Sequence, residues 1–229
     1  EGGKLAESST RTVERALSLL AFVCERGSLS LAESARLADL SASTSLRLLR
    51  TLESAGFVRR DETGDFHAGS RIVQLGAQAL SKDNLVLMCA PVMREIAEAT
   101  GESVYLCVEG HADQALYIAI HEGSQSVRHT NWVGRTIPLE GSASGQVLRG
   151  GTPAGGYVTI ERGIEKDVTA IAAPIALQQR VIASLSLLVP SYRINKTEIT
   201  RYGRLLVAAT ASVESGLGAE PAVEFATPS

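Results

Sequence analysis

The chain has no uninterrupted run of some 18 apolar residues, and so offers no membrane-spanning helix. Its first residues, Glu1 to Arg11, are polar and lack the apolar stretch of a secretory signal. A cytoplasmic protein with no membrane partner is expected. Cysteine is scarce. Cys24, Cys89 and Cys107 are odd in number, widely spaced and without a C-x-x-C pair, which argues against both a disulfide framework and a zinc ribbon. All three are expected to be buried thiols. The four histidines, His67, His111, His121 and His129, are scattered, with none at helical spacing from a carboxylate or cysteine, so no metal site is expected. G-x-S-x-G, Walker and dinucleotide fingerprints are all missing; Gly145-Gln-Val-Leu and Gly150-Gly151 do not qualify. Neither an enzyme nor a cofactor is expected.

A basic excess is missing too: the formal net charge is −3, so any nucleic-acid role must rest on local charge. Local charge differs from the total. Between Arg11 and Arg60 stand eight arginines against five acids, a balance of +3, which leaves about −6 for the other segments together. That asymmetry suits a DNA-facing head on an acidic body, although some of those arginines could equally form a solvated surface.

What is present is a globular composition, 45% hydrophobic and 21% charged over 229 residues, long enough for one large domain or two modest ones. Val13, Ala16, Leu17, Leu20 and Cys24 recur at the helical period until Gly27, which marks a first helix. Ser30-Leu-Ala-Glu33 has the spacing of a capping box and opens a short second helix to about Ala38. Ser41 caps a third, with the stripe Ser45, Leu48, Leu49, Leu52 and a stop at Ala55-Gly56. Phe57-Val58-Arg59-Arg60, a turn at Glu62 to Asp65 and Phe66-His67-Ala68 then form a hairpin. Three helices with a tight turn between the last two, followed by a hairpin, make a winged helix-turn-helix.

Ser70 begins a linker helix that the Ser81 to Asn84 stretch interrupts. Beyond it the pattern gives a helix from Leu85 to about Thr100 and strands over Ser103–Glu109, Gln114–His121 and Ser126–Trp132. A helical turn at Ser142–Leu148, strands over Val168–Ala176 and Val181–Val189, and a closing helix from Lys196 to about Gly216 follow. The expected class is α+β, an antiparallel sheet flanked by helices. The expected division is a disordered tail at 1–10, a DNA-binding domain at 11–69, a linker helix at 70–84, an effector-binding domain at 85–218 and a disordered tail at 219–229.

The segment from Leu31-Ala-Glu-Ser-Ala through Ser43-Thr44-Ser-Leu-Arg47-Leu48-Leu49 to Gly56-Phe57-Val58 resembles the winged-helix head of the IclR family of regulators. Thr100-Gly101-Glu102-Ser103-Val104-Tyr105-Leu106, Gly134-Arg-Thr-Ile-Pro138-Leu139 with Ser142-Ala-Ser-Gly145, and Ile171-Ala172-Ala173-Pro174-Ile175 resemble that family's GAF-like effector domain. The resemblance implies a ligand-responsive transcriptional regulator, a homodimer or homotetramer, that binds a palindromic operator in double-stranded DNA and a small-molecule effector. The chain departs from the family where members usually carry a pair of helices, having only Arg149-Gly-Gly-Thr-Pro-Ala-Gly-Gly156 there. It also has Asp167 and Ala170 where glycine and cysteine are common.

On the third helix the face opposite the leucines carries Ser43, Thr44, Leu46, Arg47 and Arg50. Ser43 and Thr44 can reach phosphate or base, Leu46 a thymine methyl, and Arg47 either. Arg11, just ahead of the first helix, and Arg59 and Arg60 beside the wing are candidates for phosphate or minor-groove contact, unless the latter two pair with Asp61 or Glu62. In the body the resemblance implies an effector pocket of Leu139, Ala143, Ser144, Gly145, Ala170, Ser186 and Leu188. Leu188 stands where relatives often have polar residues, which favours an aromatic or otherwise hydrophobic acid. Amides at Ser142 to Gly145 either receive a carboxylate or form a small-residue packing turn. The rival reading is a winged helix used only for protein contacts, with the body as a dimerisation module.

Overall fold

In the computed structural model, which describes residues 3–81, 84–126 and 131–219, the chain divides into two units after residue 82. The first contains α1 (Gly3–Arg26), α2 (Leu31–Leu37), α3 (Ala42–Ser54), β1 (Val58–Arg60), β2 (Phe66–Ala68) and α4 (Ser70–Ser81). Local chemistry explains the boundaries. The Ser30 hydroxyl accepts from the Glu33 amide while the Glu33 carboxylate accepts from the Ser30 amide, a complete capping box. Ser41 caps α3 by accepting from the Thr44 amide. Gly27 takes φ +77° just past α1, a left-handed value that costs glycine little. Leu19, Val23, Leu29, Leu48, Leu49, Val58 and Phe66 form the core of the unit.

Two expectations for α1 fail. The helix starts at Gly3, so residues 3–10 are helical where a tail was expected, and Arg11 lies inside the helix, not ahead of it. The stripe Val13, Ala16, Leu17, Leu20, Cys24 meets the core along one edge only: Ala16 and Leu20 pack against it, with Leu19 and Val23 fully buried beside them, while Val13 and Leu17 are 55% and 58% exposed. The helix is apolar on two sides, so periodicity alone could not say which side meets the core. Cys24 is therefore exposed, against expectation, whereas Cys89 and Cys107 are buried.

The second unit contains α5 (Asn84–Thr100), β3 (Val104–Glu109), β4 (Gln114–His121), β5 (Thr136–Pro138), α6 (Ala143–Leu148), β6 (Val158–Glu161), β7 (Val168–Leu177), β8 (Arg180–Pro190), a 3₁₀ turn (Ser191–Arg193) and α7 (Lys196–Ala219). Its six strands form one antiparallel sheet in the order β5-β4-β3-β8-β7-β6. Sequence reasoning missed β5 and β6. The strand expected over 126–132 falls mostly on 127–130, outside the described residues, and Asn131 and Trp132 are not in a strand. The tail expected from 219 lies outside them too, apart from Ala219, which ends α7.

Helices α5 and α7 cover one face of the sheet and α6 the other. Strand β8 is buried on both faces: Leu185, Leu187 and Val189 meet α5 and α7, while the alternate residues Ser184, Ser186 and Leu188 turn toward the α6 side. The sheet is tied at one end by a bidentate ion pair. Arg193 Nε and Nη2 donate to the two carboxylate oxygens of buried Glu102 at 2.9 and 2.8 Å, joining the start of β3 to the turn after β8. Among the described residues, no helix is long and apolar enough to cross a membrane.

Candidate nucleic-acid interface and ligand cavity

Anchoring Leu48 and Leu49 in the core turns the opposite side of α3 outward. There Ser43, Leu46, Arg47, Arg50, Thr51 and Ser54 line a shallow groove, with Ser43, Arg47 and Arg50 exposed. The first turn is linked by hydroxyls: Ser41 Oγ donates to Thr44 Oγ1 at 2.9 Å and lies 3.1 Å from Ser43 Oγ. Leu46 is half-buried against the core, so only part of it is offered outward. The hairpin of β1 and β2 follows α3 as a wing. Arg60 braces that wing, its Nε donating to the Gly64 carbonyl at 2.9 Å and its guanidinium lying 5.5 Å from the Phe66 ring centre. Arg59 is exposed on β1, opposite His67. Among the described residues neither arginine forms an ion pair with Asp61 or Glu62; Asp61 pairs with His67.

The second unit holds a cavity on the α6 side of its sheet. Ala143 and Ser144 from α6, Ala170 from β7 and Leu188 from β8 line it, with Tyr117, Trp132, Ile137, Ile160 and Val168 completing an apolar wall. Tyr105, Tyr117 and Trp132 stack edge to face, with ring centres 5.2 and 5.8 Å apart. Burial pushes the Cys107 thiol up to about 12, although the Ser144 hydroxyl beside it works the other way, so the thiol stays neutral and unreactive. Burial likewise raises the Tyr105 and Tyr117 phenols, with Glu165 adding to the effect in both. Among the described residues lining the cavity, Glu165 is the one carboxylate. The cavity volume is about 30 Å³, room for about two waters.

Residues 12–62 match the IclR helix-turn-helix domain, and residues 77–154 match the bacterial transcriptional regulator IclR C-terminal family. The chain belongs to the IclR family. It is 33% identical to the acetate operon repressor of Salmonella typhimurium over 141 residues, 60% of this chain and 52% of the relative. The chain spans about half the length of the curated repressors it matches. Among solved structures it resembles an IclR regulator from Alicyclobacillus acidocaldarius, with a TM-score of 0.77, 24% identity and coverage of 90% of this chain and 98% of that one. It also resembles an IclR homologue from Microbacterium hydrocarbonoxydans solved with 4-hydroxybenzoate, with a TM-score of 0.75, 23% identity and coverage of 91% and 100%. At these identities the likeness speaks for the fold.

Against this IclR-family frame, the expected pocket residues separate into two groups. Ala143, Ser144, Ala170 and Leu188 come together at the cavity. Leu139, Gly145 and Ser186 do not line it. Leu139 is packed in the cluster with Ile137 and Tyr117. The Gly145 amide is taken by the Ser142 hydroxyl at 3.0 Å, and a Cβ there would fall onto the Leu139 carbonyl, so this glycine serves the close approach of backbone to backbone. Ser186 is fully buried beside Tyr105 and Ala172, one strand pair in from the Leu188 and Ala170 pair, and its hydroxyl has no partner among the described residues. Sequence reasoning missed Tyr117, Ile137, Ile160 and Glu165 as lining residues. For Tyr117 the signal was alternation along β4. Glu165 lies on a loop and left none.

Proposed function

We propose that the chain is a DNA-binding transcriptional regulator, a repressor, whose head places α3 in a major groove and whose body binds a small organic acid. The observation that carries the reading is the outward set of Ser43, Arg47 and Arg50 on the α3 of a winged helix-turn-helix. Arginine there can bond guanine bidentately, while the first-turn hydroxyls and Arg59 hold phosphates. Arg60, already engaged with the wing, is a brace before it is a DNA contact. Arg11, on α1, is the weakest of the proposed contacts.

For the ligand, the apolar wall and the Ser142 to Ser144 turn suit an aromatic acid, and the 4-hydroxybenzoate in a solved relative supports that class. Because Glu165 already brings a carboxylate to the wall, a hydroxy acid with a donor to offer fits better than a diacid. Ala170→Leu, which adds bulk to the cavity wall, is expected to abolish the thermal shift given by a binding acid without weakening DNA binding by the unliganded protein. A ligand at 100 times its Kd raises stability by about 2.7 kcal/mol, so the loss is easily read in a screen of hydroxybenzoates and related acids. A full shift retained in Ala170→Leu would place the ligand elsewhere.

The head supplies the argument for a dimer. Besides Val13 and Leu17 on α1, Val73 and Leu75 on α4 are 71% and 39% exposed, and Leu17, Leu20, Cys24, Phe57, Ile72 and Leu75 line an apolar groove. Such a patch on a water-soluble head calls for a cover, and a second copy related by a two-fold axis matches a palindromic operator. Light scattering is expected to give at least a dimer at micromolar concentration, and Leu17→Glu with Val73→Glu to shift the mass toward the monomer. A wild-type monomer with and without DNA would contradict the proposal.

A further inference from the structure

The wing is moored to the rest of the head at two places. Leu29, in the turn between α1 and α2, exchanges backbone hydrogen bonds with Phe66 on β2, at 3.0 and 2.8 Å. The second mooring is a side chain. His67, the next residue on β2, has Nδ1 2.9 Å from the Gly27 carbonyl at the end of α1 and Nε2 2.7 Å from Asp61 Oδ2 in the wing turn. A carbonyl oxygen can only accept, so Nδ1 must carry a proton. Asp61 is committed as well, its Oδ1 accepting from the amides of Thr63 and Asp65 and from the Thr63 hydroxyl. The Thr63 bonds first, and the His67 bond next, hold the Asp61 carboxyl well below the usual carboxylate range. Asp61 is thus ionised near neutrality, and Oδ2 also only accepts. Both ring nitrogens face acceptors, and only the imidazolium donates to both.

We infer that His67 is a positioning residue for the wing, a proton-dependent clamp that joins the Asp61 turn to the end of α1 while its ring carries two protons. The other charged groups around it are Arg59, opposite it on β1, Asp65 in the turn, and Glu25 and Arg26 just before Gly27. None of these supplies a second donor to the Gly27 carbonyl or to Asp61 Oδ2. The sign follows from the donors. The clamp is present at low pH and is lost as the ring gives up a proton, because one nitrogen then presents a lone pair to an acceptor. Resting on the regulator reading, the same loss weakens the wing's grip on DNA as pH rises across the histidine range.

The test uses the full chain labelled with ¹⁵N-histidine and titrated between about pH 5 and 8, where imidazoles change charge. The expected result is that both ring nitrogens of His67 carry protons while exchange in the wing turn is slow, and that amide exchange at Glu62 to Asp65 quickens as the second proton leaves. A ring nitrogen that lacks its proton while the turn still exchanges slowly, or exchange that ignores the ring proton, would overturn the clamp. Asp61→Asn is expected to uncouple exchange in the turn from the ring proton, a readout that survives even if His67→Gln fails to fold. Operator affinity is expected to fall by about tenfold from low to high pH, the loss of one charge-assisted bond, and to be flat in His67→Gln. Flat affinity in the wild type alongside the expected ring titration leaves the clamp standing and overturns the wing as a DNA contact.

Discussion

Arg47→Ala combined with Arg50→Ala is expected to abolish sequence-specific DNA binding while leaving the fold and oligomeric state unchanged. Both guanidinium groups lie on the exposed side of α3, and Leu48 and Leu49, with Leu46 and Leu52 partly buried beside them, fix that helix in the core. Removal therefore opens no cavity. A lost bidentate base contact costs about 1–3 kcal/mol, and a symmetric dimer loses it twice, so even one arginine per head should weaken binding by about 2–6 kcal/mol. Fluorescence anisotropy with a specific and a scrambled duplex separates the terms. If the arginines read bases, the gap between the two duplexes closes; if they touch only phosphate, both affinities fall in parallel and the salt slope becomes shallower. Unchanged affinity for the specific duplex would remove both residues from the interface.

The second large effect is on stability. Arg193→Met is expected to destabilise the second unit by about 3–5 kcal/mol, because the Glu102 carboxylate stays buried without its cation. Glu102 is 1% exposed and accepts both Arg193 hydrogen bonds, so water cannot take over. Arg193→Lys should recover part of the loss, since an ammonium restores the charge but not the two-pronged geometry. Combining Glu102→Gln with Arg193→Met should be milder than Arg193→Met alone, as no buried charge remains. Urea unfolding followed at the tyrosines of the sheet measures this, and an Arg193→Met midpoint within error of the wild type would refute it.

How much of this could be foreseen depended on how local the determining chemistry is. Ser30 with Glu33, Ser41 and Gly27 act within a turn or two of themselves, and the boundaries of α2 and α3 and the end of α1 follow their pattern. The long strands β7 and β8 were legible because ten and eleven residues give hydrophobicity room to declare itself. Strands β5 and β6, of three and four residues, are too short for a period of two to stand out, and the cavity residues Ile137 and Ile160 were lost with them. The two apolar sides of α1 hid which one meets the core, and with it the exposure of Cys24. Ser186 and Leu188 share a face of β8, yet only Leu188 reaches the cavity, because depth beneath α6 is set by packing and leaves no mark on alternation. The His67 to Gly27 contact spans 40 residues, a distance that no local pattern covers.

Whether the head reads DNA at all decides the function. Selection from a random duplex library with the full-length protein, followed by footprinting of the enriched site, tests that in one experiment. The predicted result is a site with two-fold related half-sites about one helical turn apart, protected in the major groove, with affinity that falls linearly in log–log with salt and specific binding that disappears in Arg47→Ala/Arg50→Ala. No enriched sequence, or binding that treats every duplex alike at moderate salt, would contradict it.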